Sequence, residues 1–190
     1  VDGLHLHQVD LPAEVFLRAD RQLDRHRDMA QALLDLRDHA EEIGALAMGA
    51  TTYEWILRHS DKVAEETGST WPYTQPAWVF THRDLPRVER ADIRFVQGPV
   101  DQFHREMVEA AGAKNLWIVG GGDLAGQFHD AGLLDEAIIQ LASVTLGRGK
   151  PLFPRRVTRP PWKLLSVRHI GPGFAELRYQ LPGCRAAGDV

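Results

Sequence analysis

Three consecutive glycines, Gly120-Gly121-Gly122, follow the apolar run Asn115 to Val119 and precede Asp123 and Leu124. The run reads as a buried strand and the residues after the glycines as the start of a helix. Glycine lets backbone approach a ligand closely. A helix start adds unpaired N–H groups and the positive end of the peptide dipole, so a pyrophosphate is well placed there. A tight turn with no ligand fits the same pattern, and the residues alone leave both readings open. Gly120, Gly122 and Ala125 also meet the spacing of a Rossmann dinucleotide turn. That fingerprint wants an acidic residue about twenty positions later to hold the ribose. Gln140-Leu141-Ala142-Ser143-Val144-Thr145 supplies none. A dinucleotide held in some other way is the better reading.

Two further turns have related chemistry. In Met48-Gly49-Ala50-Thr51-Thr52-Tyr53-Glu54, Gly49 permits close approach, and Thr51 or Thr52 offers a hydroxyl and N–H groups to a phosphate. Phe80-Thr81-His82-Arg83 ends a third strand with an arginine, whose planar fork suits a phosphate. In isolation the first is more often a helix cap and the second more often a surface cation. Their order links them, because the carboxyl ends of parallel strands lie along one edge of an open α/β sheet, where ligands bind. His5 and His7 could be two metal ligands on one strand face, but no third ligand has readable spacing, and no metal is expected. Trp55, Trp71, Trp78, Trp117 and Trp162 read as core or pocket wall.

The elements that must position these turns follow from periodicity. Met29, Leu33, Leu36, Ala40 and Ile43 recur at steps of three and four, which predicts a helix over 28–43 with Gly44 as its stop. Ala45 to Met48 reads as a buried strand ending at Gly49, and Thr51 as the cap of a helix carrying Tyr53, Ile56 and Leu57. Lys62 to Thr74 is polar, is broken by Gly68 and Pro72, and reads as a loop. Ala77 to Thr81 and Ile93 to Val96 read as strands. Pro99 suits the first turn of a helix that faces inward with Val100, Phe103 and Met107. Ala137 to Leu146 predicts a long apolar strand. Lys163 to Ile170 and Phe174 to Leu181 predict a hairpin turning at Gly171-Pro172-Gly173. Alternating strands and helices with a terminal hairpin imply one α/β domain over 1–190, its sheet mostly parallel with an antiparallel edge.

The bulk numbers narrow the function classes. The 190 residues are 44% hydrophobic, enough for a sizeable core, and the formal net charge is −4 with both signs interspersed. This argues against a nucleic-acid or anionic-membrane surface. The basic cluster Arg155, Arg156 and Arg159 is broken by prolines and reads as a solvated loop. Cys184 is the single cysteine, so no internal disulfide or paired-cysteine metal site can form, and a reducing, cytoplasmic setting fits. No run approaches the roughly 18 apolar residues that span a bilayer, and no signal peptide is visible. The chain begins with Val1 rather than Met, and Val1-Asp2-Gly3 could be the stump of a longer first strand.

Taken in order, the Gly49, Arg83 and Gly120 segments, Leu134-Asp135-Glu136, and Leu146-Gly147-Arg148-Gly149-Lys150-Pro151-Leu152-Phe153 resemble the dihydrofolate-reductase superfamily. The likeness is strongest to the C-terminal reductase domain of the bifunctional riboflavin-biosynthesis enzyme, over residues 44–181. It implies a three-layer α/β fold and NADPH-dependent reduction of a small pterin- or ribityl-pyrimidine-like heterocycle or carbonyl. By that resemblance Gly49, Ala50, Thr51 and Thr52 face the cofactor phosphates. Thr81, His82 and Arg83 hold the adenosine 2′-phosphate. Val119, Gly120, Gly121, Gly122, Asp123 and Leu124 lie at the nicotinamide end, with a cis bond between Gly120 and Gly121. The strand after Glu136, with Gly147 and Phe153, borders the substrate, and Asp2 is a candidate substrate contact. The resemblance also implies a homodimer with the strand from Ala137 at its interface. Val119 stands where the riboflavin-pathway reductases carry an acidic residue, so their substrate is not carried over. No acid among Asp28, Asp35 and Asp38 aligns with the carboxylate by which dihydrofolate reductases help protonate the pterin. The competing readings are a nucleotide-binding module without catalysis and a flavin- or deazaflavin-dependent reductase.

Overall fold

A computed structural model describes residues 41–182, apart from Leu146, Arg148 and Pro172. Asp2, His5, His7 and the helix expected to begin at Asp28 lie outside the described residues, save for the last residues of that helix.

Four parallel strands form the central sheet. They are β1 (Ile43–Gly49), β2 (Ala77–Phe80), β3 (Ile93–Val96) and β4 (Asn115–Gly120), in the spatial order β3-β2-β1-β4. Parallel neighbours need crossovers, which helices supply except between β2 and β3, where residues 81–92 make the connection without a helix. Helix α1 (Ala50–Arg58) and helix α2 (Ser60–Thr67) connect β1 to β2, α3 (Val100–Ala111) connects β3 to β4, and α4 (Gly122–Asp130) follows β4. Side chains alternate between the two faces of a strand. Ala45 and Ala47 of β1, with Trp78 of β2, therefore pack with Val100, Met107 and Ala111 of α3 and Leu124 and Phe128 of α4. Leu46 and Met48, with Ala77, Val79 and Ile93, pack with Tyr53 and Ile56 of α1 and with Trp71. Helices thus cover both faces, which is why Ala45 through Met48 read as an unbroken apolar run and are all buried. Among the described residues, no helix is long and apolar enough to cross a membrane.

The remaining strands, β5 (Glu136–Ala142), β6 (Lys163–Ile170) and β7 (Phe174–Gln180), form an antiparallel sheet in the order β5-β7-β6. The predicted hairpin is β6–β7, with Ile170 opposite Phe174. Between these strands Glu176 is buried. Its carboxylate accepts from Arg168 Nε at 2.8 Å and from Gln140 Nε2 at 3.3 Å, so one side chain ties all three strands. The antiparallel part is a three-stranded sheet in its own right, larger than the edge hairpin expected.

Four sequence expectations change. Ile43 opens β1 instead of closing a helix, and Gly44 lies within that strand. A Cβ there would sit 2.2 Å from the Ala111 carbonyl oxygen, so Gly44 admits the end of α3 against the strand. The segment read as a polar loop after Lys62 contains most of α2. That helix hides from periodicity because Val63 is its one buried apolar side chain, and it ends at Gly68, with φ 78°. Thr51 does not cap α1. Gly49 holds the cap position with no side-chain hydrogen bond, and Thr51 is exposed. Finally, β5 stops at Ala142, short of the predicted Leu146.

Candidate functional site

The parallel register decides which strand ends meet. Gly49 lies opposite Phe80, and Met48 lies opposite both Val79 and Gly120. The carboxyl ends of β1, β2 and β4 therefore stand side by side. At the β1–β4 junction a Cβ on Gly121 would lie 3.9 Å from the Gly49 amide nitrogen, and one on Gly120 would lie 3.0 Å from Thr52 Oγ1. Two helices begin at this junction, α1 after Gly49 and α4 after Gly121, and neither has a side-chain cap. The first N–H groups of a helix have no partner inside it. Two uncapped helix starts at adjacent strand ends give a concentration of free donors and positive dipole ends. A Cβ added at Gly49 would meet nothing within 4 Å. The space above that residue is open.

The glycine turn gets its shape from Gly121, at φ 97° and ψ 92°, a region closed to most side chains. Its peptide bond to Gly120 is trans; the cis peptide bond among the described residues is Arg159–Pro160. The cis Gly120–Gly121 bond that the resemblance implies is thus not found, and the turn is made with Gly121 at positive φ. Gly122 is constrained from outside. A Cβ there would lie 2.1 Å from the Leu152 carbonyl oxygen and 3.3 Å from that of Pro151. Pro151 and Leu152 therefore lie directly over the turn.

At the end of β2, Thr81 is buried. Its N–H donates to Val96 O at 3.0 Å, and its hydroxyl accepts from the Arg83 N–H at 3.0 Å. Arg83 is 55% exposed and reaches back to α1. Its Nη1 and Nη2 donate to the two carboxylate oxygens of Glu54 at 2.7 and 3.1 Å. His82 is exposed beside it.

Other candidates have structural partners. Leu124 is core, and Val119 packs against the cluster around Leu46 and Tyr53. Asp123 accepts from Gln127 at 3.0 Å and from Arg155 at 3.1 Å. Those hydrogen bonds hold its carboxyl below the ordinary carboxylate value. Arg155 also donates to Asp130 at 2.6 Å and lies across Gly126, where a Cβ would meet its guanidinium carbon at 2.7 Å. The expectation that Arg155 is a solvated loop cation is therefore wrong: two acids two helical turns apart on α4 hold it. Phe153 packs edge-on between His129 and Trp162, at 5.4 and 5.1 Å between ring centres. A surface cleft of about 460 Å³, lined by His129, Arg156 and Arg159 among others, lies past the other end of α4. No group of three potential metal ligands occurs among the described residues.

The structure thus brings together Gly49, Ala50, Thr52, Gly120, Gly121 and Gly122, with Thr81 and Arg83 on the neighbouring strand end. Of the loop before β6, the carbonyls of Pro151 and Leu152 lie against the turn at Gly122. Sequence reasoning missed Glu54, although it falls five residues after Gly49 on the same helix.

Residues 35–175 match the RibD C-terminal domain family. The chain belongs to that family. Among its relatives, the uncharacterized protein YyaP of Bacillus subtilis is 34% identical over 70 residues, 37% of each chain. The riboflavin biosynthesis protein RibD of Escherichia coli is 36% identical over 64 residues, 30% of this chain and 17% of that one. The matches thus span well under half the length of these two relatives. A solved structure, a putative riboflavin biosynthesis protein from a Shewanella species, superposes with a TM-score of 0.63 at 19% identity. The likeness covers 88% of this chain and 85% of that one. The RibD C-terminal domain here has the three-layer α/β, dihydrofolate-reductase-like fold expected from the sequence.

Proposed function

We propose that this RibD C-terminal domain is an NADPH-dependent reductase of a small heterocycle, pterin- or ribityl-pyrimidine-like. The observation that carries the reading is the junction of β1 and β4. Two uncapped helix starts and an open space over Gly49 meet there, with Arg83 on the next strand end. Donors without partners and backbone without side chains suit the phosphates of a dinucleotide.

In this reading Gly49, Ala50 and Thr52 line the phosphates, and Thr81 and Arg83 hold the 2′-phosphate. Gly120 to Gly122 lie at the nicotinamide end. The cofactor supplies a hydride, and this chain's task is to orient it and exclude water. The carbonyls of Pro151 and Leu152 close one side of the turn. A small-molecule substrate would enter between this segment and the strand ends. The same reading carries a homodimer through the antiparallel sheet, supported by Ile138 on β5, which is 43% exposed, and Val167 on β6, which is 61% exposed. Sedimentation at micromolar concentration tests that part, and a monomer would reject it.

Titration of the protein with NADPH, NADH, FMN and deazaflavin tests the main reading. NADPH is expected to bind and to be oxidised with a pterin, pyrimidine or carbonyl acceptor. Absence of NADPH binding sinks the proposal. Binding without oxidation by any acceptor favours a nucleotide-binding module, and binding of a flavin or deazaflavin alone favours those cofactors.

A further inference from the structure

The Arg83–Glu54 pair bears on which dinucleotide the site takes. A bidentate carboxylate uses one hydrogen on each Nη atom of the guanidinium and leaves Nε–H and the outer hydrogens as donors. Arg83 can therefore still meet an anion, but the pair that meets it has no net charge. Glu54 also comes from α1, the helix whose start faces the β1–β4 junction, so its carboxylate stands beside the ground assigned to the cofactor. Asp84 follows Arg83 and is exposed, adding no positive charge. The pair lies at the surface, with Arg83 the more exposed partner and Glu54 30% exposed, and surface pairs contribute little to folding. Its two short hydrogen bonds thus fix a geometry more than they stabilise the fold.

We propose that Glu54 sets the cofactor choice of this domain, weakening its hold on the 2′-phosphate and narrowing its preference for NADPH over NADH. The inference rests on the dinucleotide reading of the site. Two interactions act in the same direction. The carboxylate repels a 2′-phosphate that shares Arg83 with it. It can also accept a hydrogen bond from a free ribose 2′-hydroxyl, the role an acidic residue plays in NAD-binding turns. One unit charge removed at about 6 Å in a water-like medium changes binding of a singly or doubly charged group by roughly three- to ten-fold at low ionic strength, where the titrations are run and salt screening is weak.

The test measures dissociation constants of NADPH and NADH, by quenching of tryptophan fluorescence, for the wild type, Glu54→Gln, Arg83→Gln and the double variant. Circular dichroism and thermal melting confirm that each variant is folded, which the exposure of the pair leads one to expect. In Glu54→Gln the ratio of the NADH to the NADPH dissociation constant rises three- to ten-fold. In the Arg83→Gln background both dinucleotides are measured again, and the same change still raises the ratio, because the repulsion of the phosphate and the hydrogen bond to the 2′-hydroxyl both come from the carboxylate itself. A ratio unchanged or lowered by Glu54→Gln overturns the inference and leaves the dinucleotide reading standing. If neither dinucleotide binds the wild type at millimolar concentration, the dinucleotide reading has failed and the inference falls with it.

Discussion

Replacing Gly49 and Gly122 one at a time by alanine separates a glycine kept for a ligand from a glycine kept for the fold. At Gly49 the backbone has φ −83° and ψ 162°, which any residue adopts, and a new Cβ meets nothing within 4 Å. Alanine is a poorer helix cap than glycine by up to about 1 kcal/mol. It also removes freedom from the unfolded chain, worth about 0.4–1 kcal/mol in the opposite direction. The two nearly cancel, so Gly49→Ala melts within roughly 3 °C of the wild type. At Gly122 the new Cβ would stand 2.1 Å from the Leu152 carbonyl oxygen, where ordinary contact is 3.4–4 Å. Backbone has to move by more than an ångström, and overpacking of this kind costs about 2–3 kcal/mol. Gly122→Ala therefore melts roughly 5–10 °C lower. Gly49→Ala should instead lose binding while keeping its stability. A methyl group over Gly49 fills the space assigned to the cofactor phosphates, and loss of a close approach there weakens NADPH by about ten-fold or more, equivalent to about 1.4 kcal/mol. Thermal melting by circular dichroism and a fluorescence titration with NADPH give both numbers on the same preparations. If Gly49→Ala binds NADPH as tightly as the wild type, the cofactor does not pass over that strand end, and the proposed placement is refuted.

Three further outcomes follow from the same geometry. Arg83→Ala should weaken NADPH at least about ten-fold more than NADH, as befits loss of a charge-assisted phosphate contact; equal losses in paired titrations reject the 2′-phosphate assignment. Hydrogen bonds from Gln127 and then Arg155 hold the Asp123 carboxyl below its ordinary value, and one from Arg155 does the same for Asp130. A depressed carboxylate contributes stability above its unfolded pKa of about 3.9, and that contribution is lost as pH falls through the lower folded value. The melting temperature of Arg155→Gln should therefore lie below the wild type's at pH 7 and converge with it below about pH 4; a gap that stays constant with pH counts against the pairing. Phe128 is fully buried and meets Phe80 edge-on at 6.2 Å. Phe128→Ala should cost about 3–5 kcal/mol in denaturant unfolding, and a loss under 1 kcal/mol would contradict its central place in the core.

The parallel half of the fold was legible because its signals are local. Ala45 to Met48 is apolar throughout since both faces of β1 are covered, and Val100, Met107 and Ala111 mark the buried side of α3. The candidate site was legible for a related reason, since strand ends of a parallel sheet share an edge and Gly49, Arg83 and Gly120 each follow a readable strand. What escaped depends on residues far apart in the chain. The Arg83–Glu54 pair joins positions 29 apart, and Arg155 joins its acids across 25 and 32. No period or spacing announces such pairs. Gly44 misled as a helix stop because its reason for being glycine is the Ala111 carbonyl, which the neighbouring sequence does not mention. The short helix α2 escaped for want of apolar residues.

Helix α4 is gripped at three points by one stretch of chain. The Leu152 carbonyl rests on Gly122 at its start, and the Arg155 side chain spans Gly126 to bind acids in its first and last turns. The helix and that stretch consequently form a single mechanical piece. The triple glycine and the cleft bordered by His129 therefore sit at the two ends of one braced helix.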